Sequence, residues 1–181
     1  MTILYLSDWA KYPNAVLDTM TPNRSWVELA LKFKKTGYKN HHFFLALHNR
    51  QLFGVDPHDP NLTPEQMAMV AMECRQNIWY VLRNVLKAPS NSGEGSLYIR
   101  ANRANIALWW SFLNHIQFLL IQPRQTGKSF STDCLMVALM NFVCTNTQFN
   151  LITKDDTLRQ ANITRIRKIY DELPDYLKFR S

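Results

Sequence analysis

One segment restricts the possible folds of this chain more than any other: a short apolar run leads into a polar loop and then into an apolar helix pattern. The run is IQFLLIQ at 116–122, the loop is PRQTGKS at 123–129, and the helix pattern covers about 129–146. A short apolar run bounded by a turn is typical of a buried strand. A strand, a Gly-Lys-Ser loop and a helix in that order favour a site for nucleotide phosphates.

The same alternation continues on both sides of this segment. The pattern predicts a helix at about 101–115, a second strand at 148–153 and an amphipathic helix at 157–173. Strands that alternate with helices favour a parallel sheet with right-handed crossovers. We therefore predict an α/β fold with a parallel sheet in the second half of the chain.

The first half of the chain predicts helices rather than strands. Capped helix patterns begin at Ser25 and at Thr63, and the second continues to about Lys87. Between the two halves, the segment PSNSGEGS at 89–96 concentrates residues that favour turns. We therefore predict a helical N-terminal extension at 1–88, a linker loop at 89–96 and the first part of a phosphate-binding domain at 97–181.

The residue types of the loop each suit one task in binding a nucleotide. Gly127 lets the backbone approach a phosphate, Lys128 brings a compact charge to the β- and γ-phosphates, and Ser129 offers a hydroxyl to Mg²⁺. Arg124 adds a planar donor for a γ-phosphate or a transition state. We predict ATP and Mg²⁺ as ligands, Arg124 and Lys128 as catalytic residues and Ser129 as the metal ligand. The predicted nucleotide-binding loop consists of Gln122, Pro123, Arg124, Gln125, Thr126, Gly127, Lys128 and Ser129.

Two features leave other interpretations open. Gln122 stands where the usual motif begins with glycine, so a plain turn between a strand and a helix also fits the triplet. A hydrolytic ATPase further needs acidic residues after a strand, to hold Mg²⁺ and to polarise the attacking water. Asp171 and Glu172 imitate that pair but end a helix pattern. Asp155 and Asp156 are better suited to a helix start. We expect the chain to bind ATP and to hydrolyse it poorly on its own.

Two longer stretches carry a family resemblance. They are ANRANIALWWSFLNHIQFLLIQPRQTGKSFSTDCLMVALMNF, with an arginine inside the loop, and NLITKDDTLRQANITRIRKIYDELPDYL, with a Leu-Pro-x-Tyr-Leu ending. Together they span about 97–178 and resemble the ATPase domain of the large terminase subunits of tailed bacteriophages. The resemblance implies a P-loop NTPase of the additional-strand class. It also implies contacts to adenine from the segment that contains Asn102 and Arg103.

The resemblance implies partners and a location as well. In that family a ring of subunits docks on the portal of an empty capsid, and ATP hydrolysis drives double-stranded DNA inward. The implied partners are double-stranded DNA, the portal protein, other copies of the chain in a ring and a small terminase subunit. The implied location is the host-cell cytoplasm, with a transient stay at the capsid portal. In that family an acidic strand and a nuclease domain follow this region, and neither pattern is recognisable in the 181 residues.

Two alternative functions remain compatible with the residues. One is a non-enzymatic assembly or DNA-docking module with a vestigial phosphate loop. The other is a fragment of another ATPase of the same loop type, such as a helicase. A preference for single-stranded nucleic acid would favour the helicase.

Composition adds a basic charge balance. Lys and Arg total 21 against 14 Asp and Glu, a formal net charge of +7, which favours a polyanionic partner. The basic stretch 32–39 with His41 and His42 could contact DNA phosphates, although such stretches are more often solvated helix faces. The three cysteines lie among apolar neighbours, and neither a signal peptide nor a membrane span is recognisable. We expect a soluble intracellular protein with reduced thiols and no membrane partner.

Overall fold

A computed structural model of the chain describes residues 13–90, 95–117, 119, 121, 123 and 127–178. Its helices are α1 (Arg24–Lys35), α2 (Pro64–Gln76), α3 (Ile78–Tyr80), α4 (Arg103–Leu113), α5 (Lys128–Ala138) and α6 (Asp156–Asp171). π-helical turns extend α3 through Val81–Val85 and α5 through Leu139–Val143, and 3₁₀ turns cover Phe43–Leu45, Arg50–Leu52 and Asp175–Leu177. Of the described helices, none combines the length and the apolar character needed to cross a membrane.

The strands form two small antiparallel pairs. Strand β1 (Val16–Leu17) pairs with β2 (Ala46–Leu47), and β3 (Lys87–Pro89) pairs with β4 (Ser96–Tyr98). Both sheets have two strands, and no parallel pairing occurs within the described residues. The prediction of an α/β P-loop NTPase fold with a parallel sheet is therefore wrong for the part of the chain that the structure describes.

The reason for this error lies in the two apolar runs that were predicted as strands. The described residues of these runs, namely 116, 117, 119, 121 and 148–153, are outside any sheet. Leu119, Ile121 and Ile152 are 85%, 84% and 93% exposed. An apolar run indicates a tendency to be buried, but a strand also needs a neighbour for its N–H and C=O groups. The sequence pattern does not show whether that neighbour exists.

Capping interactions explain where α2 and α3 begin, whereas α1 begins at Arg24 after Asn23 with no side-chain cap among the described residues, so the cap predicted at Ser25 is wrong. At α2, Thr63 Oγ1 accepts a hydrogen bond from Gln66 N at 3.2 Å, and Thr63 N donates to Gln66 Oε1 at 2.9 Å. The predicted capping box at this helix is confirmed. The single helix predicted from Thr63 to about Lys87 is interrupted at Asn77, because the Asn77 side chain caps the next helix by accepting from Tyr80 N.

Stacked indole rings form the centre of the core. Trp26 on α1 and Trp109 on α4 are fully buried and stacked, with ring centroids 5.8 Å apart and an interplanar angle of 11°. Phe44 and Trp79 meet the Trp26 ring edge-on at 5.7 and 6.5 Å. The Trp26 Nε1–H donates to the carbonyl of Ile99 at 3.1 Å, so the ring's polar atom is satisfied. The core therefore draws on residues from both halves of the chain.

A buried carboxylate fixes the turn after β2 to α2. Glu73 is 2% exposed and accepts hydrogen bonds from the backbone N–H groups of His48 and Asn49 at 2.9 and 3.2 Å. The Asn77 side-chain amide donates to the same carboxylate at 2.7 Å. Burial raises the pKa of Glu73, but these hydrogen bonds and the nearby His48 ring together leave it below its ordinary value.

A second buried polar group holds β1 in place. The Arg83 guanidinium is fully buried and lies 3.5 Å from the Asp18 carboxylate. It also donates to the Phe44 carbonyl and to the Asn84 side chain. Burial lowers the pKa of Arg83, and the Asp18 charge opposes that shift. The π-helical turn is thereby tied to β1 and to the first 3₁₀ turn.

Candidate phosphate-binding site

The predicted phosphate site falls at the start of α5. Gly127 precedes the helix with φ 79° and ψ 16°, the left-handed conformation that favours glycine. Among the described residues, no side chain caps this helix end, and a Cβ built on Gly127 would meet none of their atoms within 4 Å apart from its own residue and its chain neighbours. The first N–H groups of a helix have no acceptor within the helix, and the dipole is positive there. The start of α5 can therefore receive an anion.

Lys128 is the first residue of α5 and lies beside the backbone that leads into it. Its Nζ donates to the Pro123 carbonyl at 2.8 Å. The next residue, Ser129, is exposed, so its hydroxyl is accessible to a ligand at the helix start. The structure thus brings Pro123, Gly127, Lys128 and Ser129 together. The other predicted loop residues, Gln122, Arg124, Gln125 and Thr126, lie outside the described residues.

The first turn of α5 is anchored on α4. Ser131 is buried, and its Oγ donates to Asn105 Oδ1 at 2.7 Å. The Trp109 Nε1–H donates to the Ser131 carbonyl at 2.9 Å. Sequence reasoning did not single out Asn105 or Ser131. Each is a polar residue within a strongly apolar helix pattern. Because a buried polar side chain needs a hydrogen-bond partner, this pattern could have indicated the contact.

Asn102 and Arg103, the two residues predicted to contact adenine, begin α4. Asn102 caps this helix, because its Oδ1 accepts from Asn105 N at 2.9 Å. Arg103 is exposed at the first helical position. Both residues are connected to the start of α5 through α4 and its contact with Ser131. No direct contact between them and Lys128 is seen among the described residues.

The other side of α5 packs against α6. Asp133 on α5 is 2% exposed and forms an ion pair with Arg165 on α6. Burial raises the pKa of Asp133, and the Arg165 charge and hydrogen bond act in the opposite direction. Arg165, one of the basic residues of α6, thus forms a contact between helices. Asp133 lies one helical turn after Ser129, where a carboxylate could help to hold a metal ion. Its carboxylate is instead paired with Arg165.

The remaining acidic candidates have structural positions. Asp155 Oδ1 accepts from Leu158 N at 2.8 Å at the start of α6, so its predicted helix-start role is confirmed. Asp171 is exposed at the last residue of that helix. In the described ranges, no group of three His, Cys, Asp or Glu side chains is arranged to hold a metal ion.

The residues at the start of α5 suit a triphosphate better than a free metal ion. The helix N–H groups and the ammonium group are ligands for phosphate. The hydroxyl offers a single oxygen to a Mg²⁺ ion that is already bound to phosphate. No protein-family model matches this chain, and neither a curated protein nor a solved structure shows significant similarity to it.

Proposed function

We propose that this chain binds Mg²⁺-ATP at the start of α5 and is the ATP-binding portion of a viral DNA-packaging motor. The observation that carries the proposal is the junction at 127–128. There a left-handed glycine precedes a helix that no described side chain caps, and the next residue carries an ammonium group that lies against the Pro123 carbonyl. This combination concentrates positive potential where a phosphate group can approach.

Each residue at the junction has a defined role in the proposal. A phosphate can approach the backbone at Gly127, because this residue has no side chain and, among the described residues, no atom beyond its chain neighbours lies within 4 Å of where a Cβ would stand. Lys128 exchanges its hydrogen bond to the Pro123 carbonyl for one to a β- or γ-phosphate oxygen. Ser129 turns its exposed hydroxyl to the Mg²⁺ that accompanies ATP. Arg124 is assigned to the γ-phosphate from its place in the loop sequence.

The packaging part of the proposal rests on the sequence resemblance over about 97–178. Its partners are double-stranded DNA, the portal protein, a ring of identical subunits and a small terminase subunit. Its location is the host cytoplasm and, during packaging, the capsid portal. The net charge of +7 supports a polyanionic partner without identifying it.

Calorimetric titration with Mg²⁺-ATP tests the proposal on the whole chain. We expect saturable binding to the unchanged protein and at least about tenfold weaker binding to Lys128→Ala, because a charge-assisted contact to phosphate is lost. Lys35→Ala is the matched control, since it removes the same charge from an exposed position at the end of α1. Absence of binding to a protein that circular dichroism shows to be folded would refute the phosphate site.

A second candidate function is a non-enzymatic assembly module. The observation that favours it is the exposure of Leu119, Ile121 and Ile152, apolar side chains that are 84–93% accessible. Such side chains are usually covered by a partner or by another copy of the chain. This candidate predicts association in light scattering that Ile152→Ser weakens and Mg²⁺-ATP does not affect. Under the packaging proposal, Lys128→Ala must weaken the binding of ATP at least about tenfold whatever the association state.

A further inference from the structure

A groove next to α4 combines aromatic walls with a positively charged rim. It has a volume of about 560 Å³ and lies between the end of α1, the following loop and one face of α4. The side chains that form its aromatic walls and its rim are Phe33, Tyr38, Phe43, Trp110, Lys39 and Arg103. No carboxylate lines the groove among the described residues. The start of α5, where ATP is proposed to bind, contacts a different part of α4 through Asn105 and Trp109.

The end of α1 fixes Tyr38 at the edge of this groove. Gly37 has φ 83°, its N–H donates to the Lys34 carbonyl at 3.0 Å, and Tyr38 N donates to the Phe33 carbonyl at 3.1 Å. These are the paired hydrogen bonds of a Schellman motif, and the rings of Phe33 and Tyr38 complete it at 5.2 Å. Tyr38 remains 53% exposed despite this contact. The ring is therefore held in place and still accessible.

Trp110 supplies an accessible indole on the opposite element. It is 37% exposed, whereas its neighbour Trp109 is fully buried in the core. An exposed tryptophan and an exposed tyrosine on the lining of one groove offer flat surfaces on which a planar ring can stack.

The charges around the groove are cationic. Lys39 and Arg103 line it, and the last turn of α1 adds Lys32, Lys34 and Lys35, all exposed. Lysines at a helix end also stabilise the helix dipole, so those three have a structural explanation. The helix dipole does not explain Arg103, because this residue lies at the positive end of α4, where a cation is unfavourable. The ion pairs of the described residues involve other side chains.

We propose that this groove binds single-stranded nucleic acid. Bases stack on Tyr38 and Trp110, and the neighbouring phosphates contact Lys39 and Arg103. A base can stack on an aromatic side chain only if one face of the base is exposed. The bases of a single strand have exposed faces, whereas those inside a duplex do not. The cationic rim supplies the salt-dependent part of the affinity. The site goes beyond the proposed ATP binding and does not depend on it, whereas a preference for single strands would favour the helicase alternative over the packaging motor.

Fluorescence anisotropy with a labelled oligothymidylate of about 12 nucleotides tests the groove on the whole chain. An abasic oligonucleotide of the same length carries the same phosphates without bases, and a duplex of the same length hides the base faces. We expect the oligothymidylate to bind at least about tenfold more tightly than the abasic strand, because stacking depends on the base. Binding that is equal for the two strands, or tighter for the duplex, would overturn the proposal.

Substitutions identify the groove as the binding surface. Tyr38→Ala and Trp110→Ala should each weaken binding about tenfold, whereas Tyr38→Phe keeps the stacking ring and should bind normally. Phe112→Ala is the matched control, because it removes an aromatic side chain of α4 that is 47% exposed and does not line the groove. Arg103→Ala changes an exposed residue. It should make the oligonucleotide affinity less dependent on salt, by the equivalent of about one phosphate contact. Equal loss in Phe112→Ala and Trp110→Ala would contradict the assignment.

A competition experiment separates this site from the ATP site. Mg²⁺-ATP should not displace the oligonucleotide, and Lys128→Ala should bind it as tightly as the unchanged chain. Displacement by ATP together with weaker binding by Lys128→Ala would assign the groove to the nucleotide and overturn the proposal. A failure of ATP binding alone leaves the oligonucleotide result intact, so the two proposals fail separately.

Discussion

Two glycines with nearly the same conformation allow one substitution to be compared at two sites. Gly127 has φ 79° and Gly37 has φ 83°, and a Cβ added at either would meet no described atom within 4 Å outside its own residue and chain neighbours. The cost of Gly→Ala at each is therefore backbone strain, about 1–2 kcal/mol for a left-handed residue. The smaller entropy of the unfolded alanine chain offsets about 0.4–1 kcal/mol of this. We expect both variants to be destabilised by about 1 kcal/mol.

The functional effects of the two variants should differ although their stabilities match. Gly127→Ala disfavours the backbone that presents the α5 N–H groups, so Mg²⁺-ATP should bind about fivefold more weakly, the equivalent of about 1 kcal/mol. Gly37→Ala disfavours the turn that holds Tyr38, so the oligonucleotide should bind more weakly by a similar factor. Each variant should bind the other ligand normally.

Urea unfolding followed by circular dichroism measures the stabilities, and calorimetry and anisotropy measure the two affinities. An unchanged stability of Gly127→Ala would show that this residue is not left-handed in solution. If both variants lost both ligands to the same extent, the effect would be general unfolding, and the assignment of separate sites would be refuted.

Two further predictions concern the buried carboxylate and the turnover of ATP. Glu73→Gln should lower the stability at pH 7 by about 2 kcal/mol in urea unfolding, because an amide replaces a charged acceptor of several hydrogen bonds. The lowered pKa of Glu73 means that its contribution is present above the unfolded pKa and is lost as the pH falls through the folded pKa. The unchanged protein should therefore lose stability below about pH 4.3 more steeply than Glu73→Gln, and parallel losses would contradict this. In a phosphate-release assay, the chain should hydrolyse ATP no more than a few times faster than Lys128→Ala, since no acidic residue lies in a described strand. Rapid turnover that Lys128→Ala abolishes would contradict this prediction.

The helices were largely predictable because their signals are local. The Thr63 cap and the apolar periodicity of α2, α4, α5 and α6 depend on residues within a few positions of each other. The same local reasoning failed at the described residues of 116–122 and at 148–153, because strand formation depends on a distant partner that the sequence of the strand does not encode. Local patterns also missed the interruption at Asn77, where one capping side chain divides a continuous apolar stripe.

The candidate site was predictable in its chemistry and less so in its surroundings. The triplet at 127–129 indicated a helix start that can receive phosphate, and the structure has a helix start there. The contacts that fix this turn, from Asn105 and Trp109 to Ser131, join residues 22 and 26 positions apart, and no spacing rule links them. The groove that contains Tyr38 and Trp110 depends in the same way on the packing of α1 against α4.

The stacked pair of Trp26 and Trp109 has a spectroscopic consequence. Two indoles held nearly parallel at 5.8 Å in a rigid core couple their electronic transitions. Their interaction should appear as strong near-ultraviolet circular dichroism bands, which are lost when either ring is replaced by phenylalanine. Because one ring belongs to α1 and the other to α4, these bands report whether the two halves of the chain are docked, independently of helix content.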